Sequence, residues 1–223
     1  MRAKSRDQTI EVTGSAEKRI KSDLMIWQAS VVAEAPALPD AYRKLTHDVD
    51  LTKKFLIAHG IPDNQIVINS VETTPIRPAQ RQAQYASGDQ QQSITGTVTG
   101  YHLKQSLSVR STDIDGVTAV SREVTELINQ GILLDSEAPE YLYTKLAQTK
   151  VEIMADAARD ARERAQQIAS STSSRIGEIR SASMGVLQIT AADSNTVSDY
   201  GVNDTTSLEK DVTAVVHATF AVD

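Results

Sequence analysis

The chain has 223 residues, 40% of them hydrophobic, 4% aromatic and 23% charged, with ten Gly and six Pro, which supplies an ordinary core and is too apolar for a disordered tail. Twenty-nine acidic against 23 basic residues leave a formal charge of −6, which repels phosphate backbones and argues against nucleic acid as a partner. There is no cysteine, so thiolate nucleophiles, zinc–thiolate sites, iron–sulfur clusters and disulfides are excluded together, and no run of about eighteen apolar residues is present to span a bilayer.

Met1 to Gln8 carries Arg2, Lys4 and Arg6 without an apolar run, so it reads as a flexible stub and not an intact secretory signal. Thr9 to Gly14 alternates apolar and polar residues and ends on glycine, the pattern of a short half-buried strand. After Lys21-Ser22-Asp23, the odd positions Met25, Trp27, Ala29, Val31 and Ala33 are all apolar. A second strand therefore buries one face, with Trp27, the single tryptophan, as its core anchor. Pro36 and Pro39 end that strand. Leu38, Ala41, Tyr42, Leu45, Val49, Thr52, Phe55 and Leu56 then recur at three- and four-residue spacing and predict an amphipathic helix that Gly60 stops. Ile66 to Ile76 is rich in β-branched residues and predicts a strand, with Pro75 and Pro78 at its end.

Between Arg77 and Ser93 lie six glutamines (Gln80, Gln82, Gln84, Gln90, Gln91 and Gln92) with Gly88, which predicts an exposed, mobile loop. A two-sided strand follows from about Thr97, where Tyr101, Leu103, Leu107 and Val109 oppose His102, Lys104, Ser106 and Ser108. Asp113 is placed to cap a helix carrying Val117, Val120, Val124, Leu127 and Ile128, which Gly131 ends. Ile132-Leu133-Leu134 begins another strand, interrupted near Pro139 and resumed at Tyr141-Leu142-Tyr143. Strand, helix, strand, strand, helix, strand is the split βαβ pattern.

A long helix from about Thr144 to Ser170 follows, with Leu146, Met154, Ala157, Ala158, Ala161, Ala165 and Ile168 toward the interior. Ile176 to Ile189 reads as a strand, Ala191 to Ser207 as a polar loop, and Val212, Ala214, Val216, Ala218, Phe220 and Val222 as the inner face of a last strand. The fold class is α+β: a βαββαβ-like core with a long additional helix and C-terminal strands, in a mixed or antiparallel sheet. No Pro- or Ser-rich linker divides the chain, so residues 9–223 are expected to form a single domain after the 1–8 stub.

The chemistry-bearing residues are sparse. The four histidines are His47, His59, His102 and His217, and none stands in a nucleophile elbow, dinucleotide fingerprint, Walker loop or zincin motif. Gly96 and Gly100 lie four apart at the start of a strand with no helix following, which suits a bulge or tight turn better than a phosphate cradle. His47, Asp48 and Asp50 are the nearest approach to an acid–base or metal cluster. On a helix, His47 and Asp48 project about 100° apart, whereas His47 and Asp50 share a face; a solvated helix surface is the plainer reading. His102 and His217 sit on polar strand faces and could meet only if their strands were neighbours. In the segment 156–164 charges of both signs alternate, with Asp160–Arg164 and Arg159–Glu163 at helical spacing, a solvent face laced with ion pairs or a contact between subunits. No catalytic, cofactor-binding or metal-ligating residue is assigned, and no cofactor is expected.

Three segments together resemble the SIMPL domain family of bacterial envelope proteins, a domain of unknown function. They are Ile10-Glu-Val-Thr-Gly-Ser-Ala-Glu-Lys-Arg-Ile-Lys-Ser-Asp23; Gly100-Tyr101 with Leu103, Leu107 and Val109; and Ala158-Arg-Asp-Ala-Arg-Glu-Arg-Ala165 with Ile168-Ala169 and Ile176-Gly177-Glu178-Ile179. The resemblance runs from about Thr9 to Val222. Ser22 stands where many members have proline, and Ser173 or Ser174 where glycine is frequent, departures that touch turns only. The resemblance implies a periplasmic or membrane-anchored protein of Gram-negative bacteria. Members related to the Brucella periplasmic immunogenic protein form large ring- or channel-like oligomers, and some are tied to oxidative-stress tolerance. It also implies that Met1 starts a trimmed chain whose Arg2 to Arg6 followed an inner-membrane anchor, and it supplies no catalytic residue.

The expected function is that of a non-enzymatic envelope protein acting as a homo-oligomer or by holding an envelope protein partner, through sheet edges and the 78–95 and 191–207 loops. It meets the membrane only through the missing anchor. The competing readings are a small ligand- or protein-binding module and a hydrolase or metal enzyme centred on His47 and Asp50.

Overall fold

The structure is a computed structural model that describes residues 8–77 and 97–222. The 1–8 stub, apart from Gln8, and the Gln-rich 78–95 segment lie outside the described residues. The fold is α+β, and every strand ladder described below is antiparallel. The chain divides into two compact units, one from the residues up to Leu24 together with those from Glu140 onward, the other Met25–Pro139.

The inner unit carries the split βαβ order: β2 (Leu24–Ala35), α1 (Leu38–Ala58), β3 (Ile66–Ile76), β4 (Gly100–Ser111), α2 (Ile114–Glu123) and β5 (Leu133–Ser136), following β1 (Thr9–Lys21) in the chain. Its strands run β3-β4-β2-β5 across the sheet. Period two determines what is buried. Met25, Trp27, Ala29, Val31 and Ala33 of β2 pair in register with residues of β4, and with Leu103, Leu107 and Val109 they form the covered face. Leu45 and Leu56 of α1 and Val117 and Val120 of α2 complete that core. Trp27 satisfies its buried indole N–H with Ser136 Oγ at 3.1 Å, and that hydroxyl donates in turn to the Ser121 carbonyl at 2.7 Å.

Asp113 caps α2 as expected, accepting from the Gly116 amide at 3.0 Å. The helix then tightens into a 3-10 turn, Val124–Gln130, before Gly131, whose φ of 82° is a left-handed conformation open to glycine at no steric cost. β3 ends at Ile76, one residue after Pro75, where the sequence reading put it, and Pro75 is paired with Tyr101. β3 is an edge strand, so the missing proline N–H costs no ladder bond.

The outer unit is built on β9 (Glu209–Val222), which pairs with β1 along one side and with β7 (Ile176–Met184) and β8 (Gln188–Ala191) along the other. The expected continuous strand 176–189 is thus two strands, parted at Gly185. β6 (Glu140–Leu142) and α3 (Leu146–Ser171) precede them. The buried positions of α3 are Thr149, Ile153, Ala157, Ala161, Ala165 and Ala169, a strict four-residue repeat. Met154 is only half-buried, and Ala158 and Ile168 are exposed, against expectation. Each four-residue step turns the helix by about 400°, so the buried stripe creeps about 40° per step and follows an oblique ridge across a twisted sheet. Ile153 and Ala157 join Ile20, Ile189, Val212 and Val216; Ala161 and Ala165 join Val12, Ala218 and Phe220.

The small residues of that ridge permit a backbone-to-backbone approach. A Cβ on Gly14 of β1 would lie 2.3 Å from the carbonyl oxygen of Ala157 and 2.3 Å from the amide nitrogen of Ala161. Gly14→Ala is predicted to force helix and strand apart and to lower stability by at least the ~1–3 kcal/mol of core overpacking. Chemical denaturation checks this; an unchanged midpoint contradicts the packing.

Candidate functional site

β1 has an edge strand's two sides. Gln8 accepts through its carbonyl from the Val222 amide at 3.0 Å, so the even positions of β1 face β9. The odd positions turn their N–H and C=O away from it, and no strand pairs with that side among the described residues. Among the described residues the Ser15 amide finds a partner there: it donates to Asp160 Oδ2 of α3 at 2.8 Å. Asp160 is held in turn by Arg164 Nε at 2.8 Å. The Ser15 amide, and then Arg164, keep the Asp160 carboxyl below the usual carboxylate range against some desolvation.

From that clamp toward the start of β1, the open strand edge and the flank of α3 line an open groove of about 830 Å³. Glu11, Val12 and Thr13 form one wall, and Asp160, Glu163, Arg164, Gln166, Gln167 and Ile168 form the other. The lining holds three acidic residues against Arg164, which Asp160 already engages, so the surroundings of the groove are net acidic. Ile168, 48% exposed, gives it an apolar contact. It offers unpaired main-chain groups, negative charge and apolar surface, the requirements for holding an extended chain.

A second cluster fixes the 191–207 loop. Arg19 donates from Nε to Asp211 Oδ1 at 2.9 Å, from Nη2 to Asp211 Oδ2 at 3.0 Å, and to Asp193 Oδ1 at 2.5 Å. The Asp193 amide also donates to Asp211 at 2.8 Å. Lys210, 3% exposed, places its ammonium on the carbonyls of Tyr141 at 2.6 Å and Asp204 at 2.5 Å. Burial pushes the Lys210 pKa down, with Asp204 opposing. Backbone bonds from Ile189 to Val202 and from Asp204 to Ile189 complete the attachment. The loop is therefore clamped at its base while Val197 and Tyr200 remain 80% and 97% exposed.

The residues singled out in the sequence fall elsewhere. His47 and Asp50 are exposed on α1, and Asp48 beside them is buried and paired with Lys44 at 2.6 Å. Among the described residues no group of three or more His, Asp or Glu could hold a metal. His102 bonds Glu34 at 2.8 Å and His217 bonds Thr13 Oγ1 at 3.0 Å; β4 and β9 belong to different sheets, so the two histidines do not share a ladder. In the 156–164 segment Asp160–Arg164 forms as expected, but Arg159 pairs with Asp156 at 2.8 Å and not with Glu163, three residues back being as near as four on a helix. Gly100 opens β4 and Gly96 lies outside the described residues.

The groove itself was missed. Its one sequence signal was Asp160, read as a surface charge, because nothing local tells that the oxygen Arg164 holds also accepts from a strand 145 positions earlier.

The arrangement is that of an α+β protein whose clearest surface feature is a strand-and-helix groove. The family model described as SIMPL, protein of unknown function (DUF541), matches residues 10–220, and the chain belongs to that family. No curated protein sequence matches the chain.

Arg19, ahead of desolvation and the Asp193 amide, holds the Asp211 carboxyl below its ordinary value of 3.8. A depressed carboxylate contributes stability that is full above that unfolded value and is lost as pH falls through the folded one. Melting temperature is therefore predicted to drop below about pH 4, less steeply in Asp211→Asn, which starts lower at pH 7. Parallel acid profiles for the two proteins would contradict the assignment.

Proposed function

We propose that this protein is a non-enzymatic component of the bacterial cell envelope that works through oligomeric assembly or by holding a protein partner. The observation that carries the reading is the 191–207 loop. Val197 and the ring of Tyr200 leave apolar surface in water, on a loop tied at its base by Arg19, Asp211 and Lys210. A pre-ordered aromatic anchor is what an interface uses, since little conformational entropy is lost when it is covered.

The unpaired side of β1 adds a second surface suited to association. A periplasmic setting, a tether to the inner membrane and a part in stress tolerance belong to the same reading and rest on the family. No described helix is long and apolar enough to cross a membrane, so attachment would come from outside the described residues. Light scattering of the purified chain is expected to give a mass several times that of one copy. The double variant Val197→Ser, Tyr200→Ser is expected to fall toward a single copy with an unchanged melting temperature. A single-copy mass for the parent at high concentration overturns assembly.

A further inference from the structure

We infer that the groove between β1 and α3 binds an extended, basic segment of a partner protein, which adds to β1 as a new edge strand. This deepens the partner-holding half of the proposed function and rests on it. Three observations converge. Ser15 gives its outward amide to Asp160, so strand addition is blocked from there on and confined to Thr9–Thr13. Within that stretch the outward N–H and C=O groups of Glu11 and Thr13 are oriented away from β9 and meet no other strand among the described residues. The groove then selects by charge and shape: Glu11 and Glu163 flank it without a basic partner among the described ion pairs, while Asp160 already holds Arg164, and Ile168 supplies an apolar contact. Side chains of an added strand alternate between the two faces, so one set of positions lies on the face of Glu11 and the other reaches α3, where Ile168 offers apolar contact and Glu163 a carboxylate.

The stretch accommodates about five residues at ~3.3 Å each. A second copy of this chain is the competing occupant; its own net charge of −6 makes it a poorer match for an acidic groove.

The test is titration of the full chain with a fluorescent six-residue peptide of alternating valine and lysine, read by anisotropy and by amide chemical shifts. Saturable binding is expected, with shifts centred on Glu11 and Thr13, at least tenfold weakened by added salt, by glutamate in place of the peptide's lysines, or by N-methylation of alternate peptide amides. Thr13→Pro removes an outward donor and leaves the β9 ladder intact. Glu163→Lys, on the exposed face of α3, reverses the charge without touching the core. Both variants are expected to weaken binding tenfold or more while folding normally. No saturation, equal binding of the glutamate peptide, or shifts centred elsewhere overturns the inference. So does loss of peptide binding on self-association that Thr13→Pro relieves, which assigns the groove to a second copy. A single-copy mass by light scattering with peptide binding intact removes assembly and leaves this inference standing.

Discussion

The outer unit depends on the missing side chain at Gly14. Because nothing projects from that position, the backbone of α3 at Ala157 and Ala161 rests directly on β1. The alanine ridge follows from the same contact: any larger residue at 157, 161, 165 or 169 would lift the helix off the sheet, and the four-residue spacing keeps the ridge on a surface that twists beneath it. Held that close, α3 brings Asp160 to the Ser15 amide and satisfies one edge donor. Beyond that bond the open edge of β1 and the outer flank of α3 line the groove. One packing constraint thus sets the helix composition, the position of the clamp and the place where main-chain groups stay open.

A second theme is that polar groups are used to fix surfaces. The fork of Arg19 on Asp211, with Asp193 attached to both, and the Lys210 ammonium on two carbonyls tie the 191–207 loop to β9. Buried charges of this sort cost desolvation and are tolerated only when their hydrogen bonds are nearly complete. Their yield here is a loop with little freedom at its base, which suits a binding surface better than a catalytic lid. In the inner unit the polar interior is limited to short links such as Trp27–Ser136–Ser121, and burial on the α1 and α2 face dominates.

Much of this was legible in the sequence because it is written at short range. The period-two run from Met25 to Ala33, the Asp113 cap and the Gly131 stop each depend on residues a few positions apart, and each stands where the pattern puts it. The full extent of β1 was not legible: Ser15 to Lys21 is mostly polar and exposed, and is a strand only because β9 pairs with it throughout. The inner face of α3 was only partly legible: the buried residues repeat every four positions along a twisted sheet, which buries Ile153 and Ala169 and leaves Met154 half-buried and Ile168 exposed. The groove is the same kind of case, made by a bond across 145 positions, and no helical or strand period contains it.

The central claim is that β1 is paired on one side only and that Asp160 closes that open side at Ser15. Amide hydrogen exchange along β1, read residue by residue, tests it most directly. The account predicts slow exchange at the amides of Val12 and Gly14, which face β9, slow exchange at Ser15 that becomes fast in Asp160→Ala, and fast exchange at Glu11 and Thr13. Protection of Glu11 and Thr13 equal to that of Val12 and Gly14 in the isolated chain would contradict it.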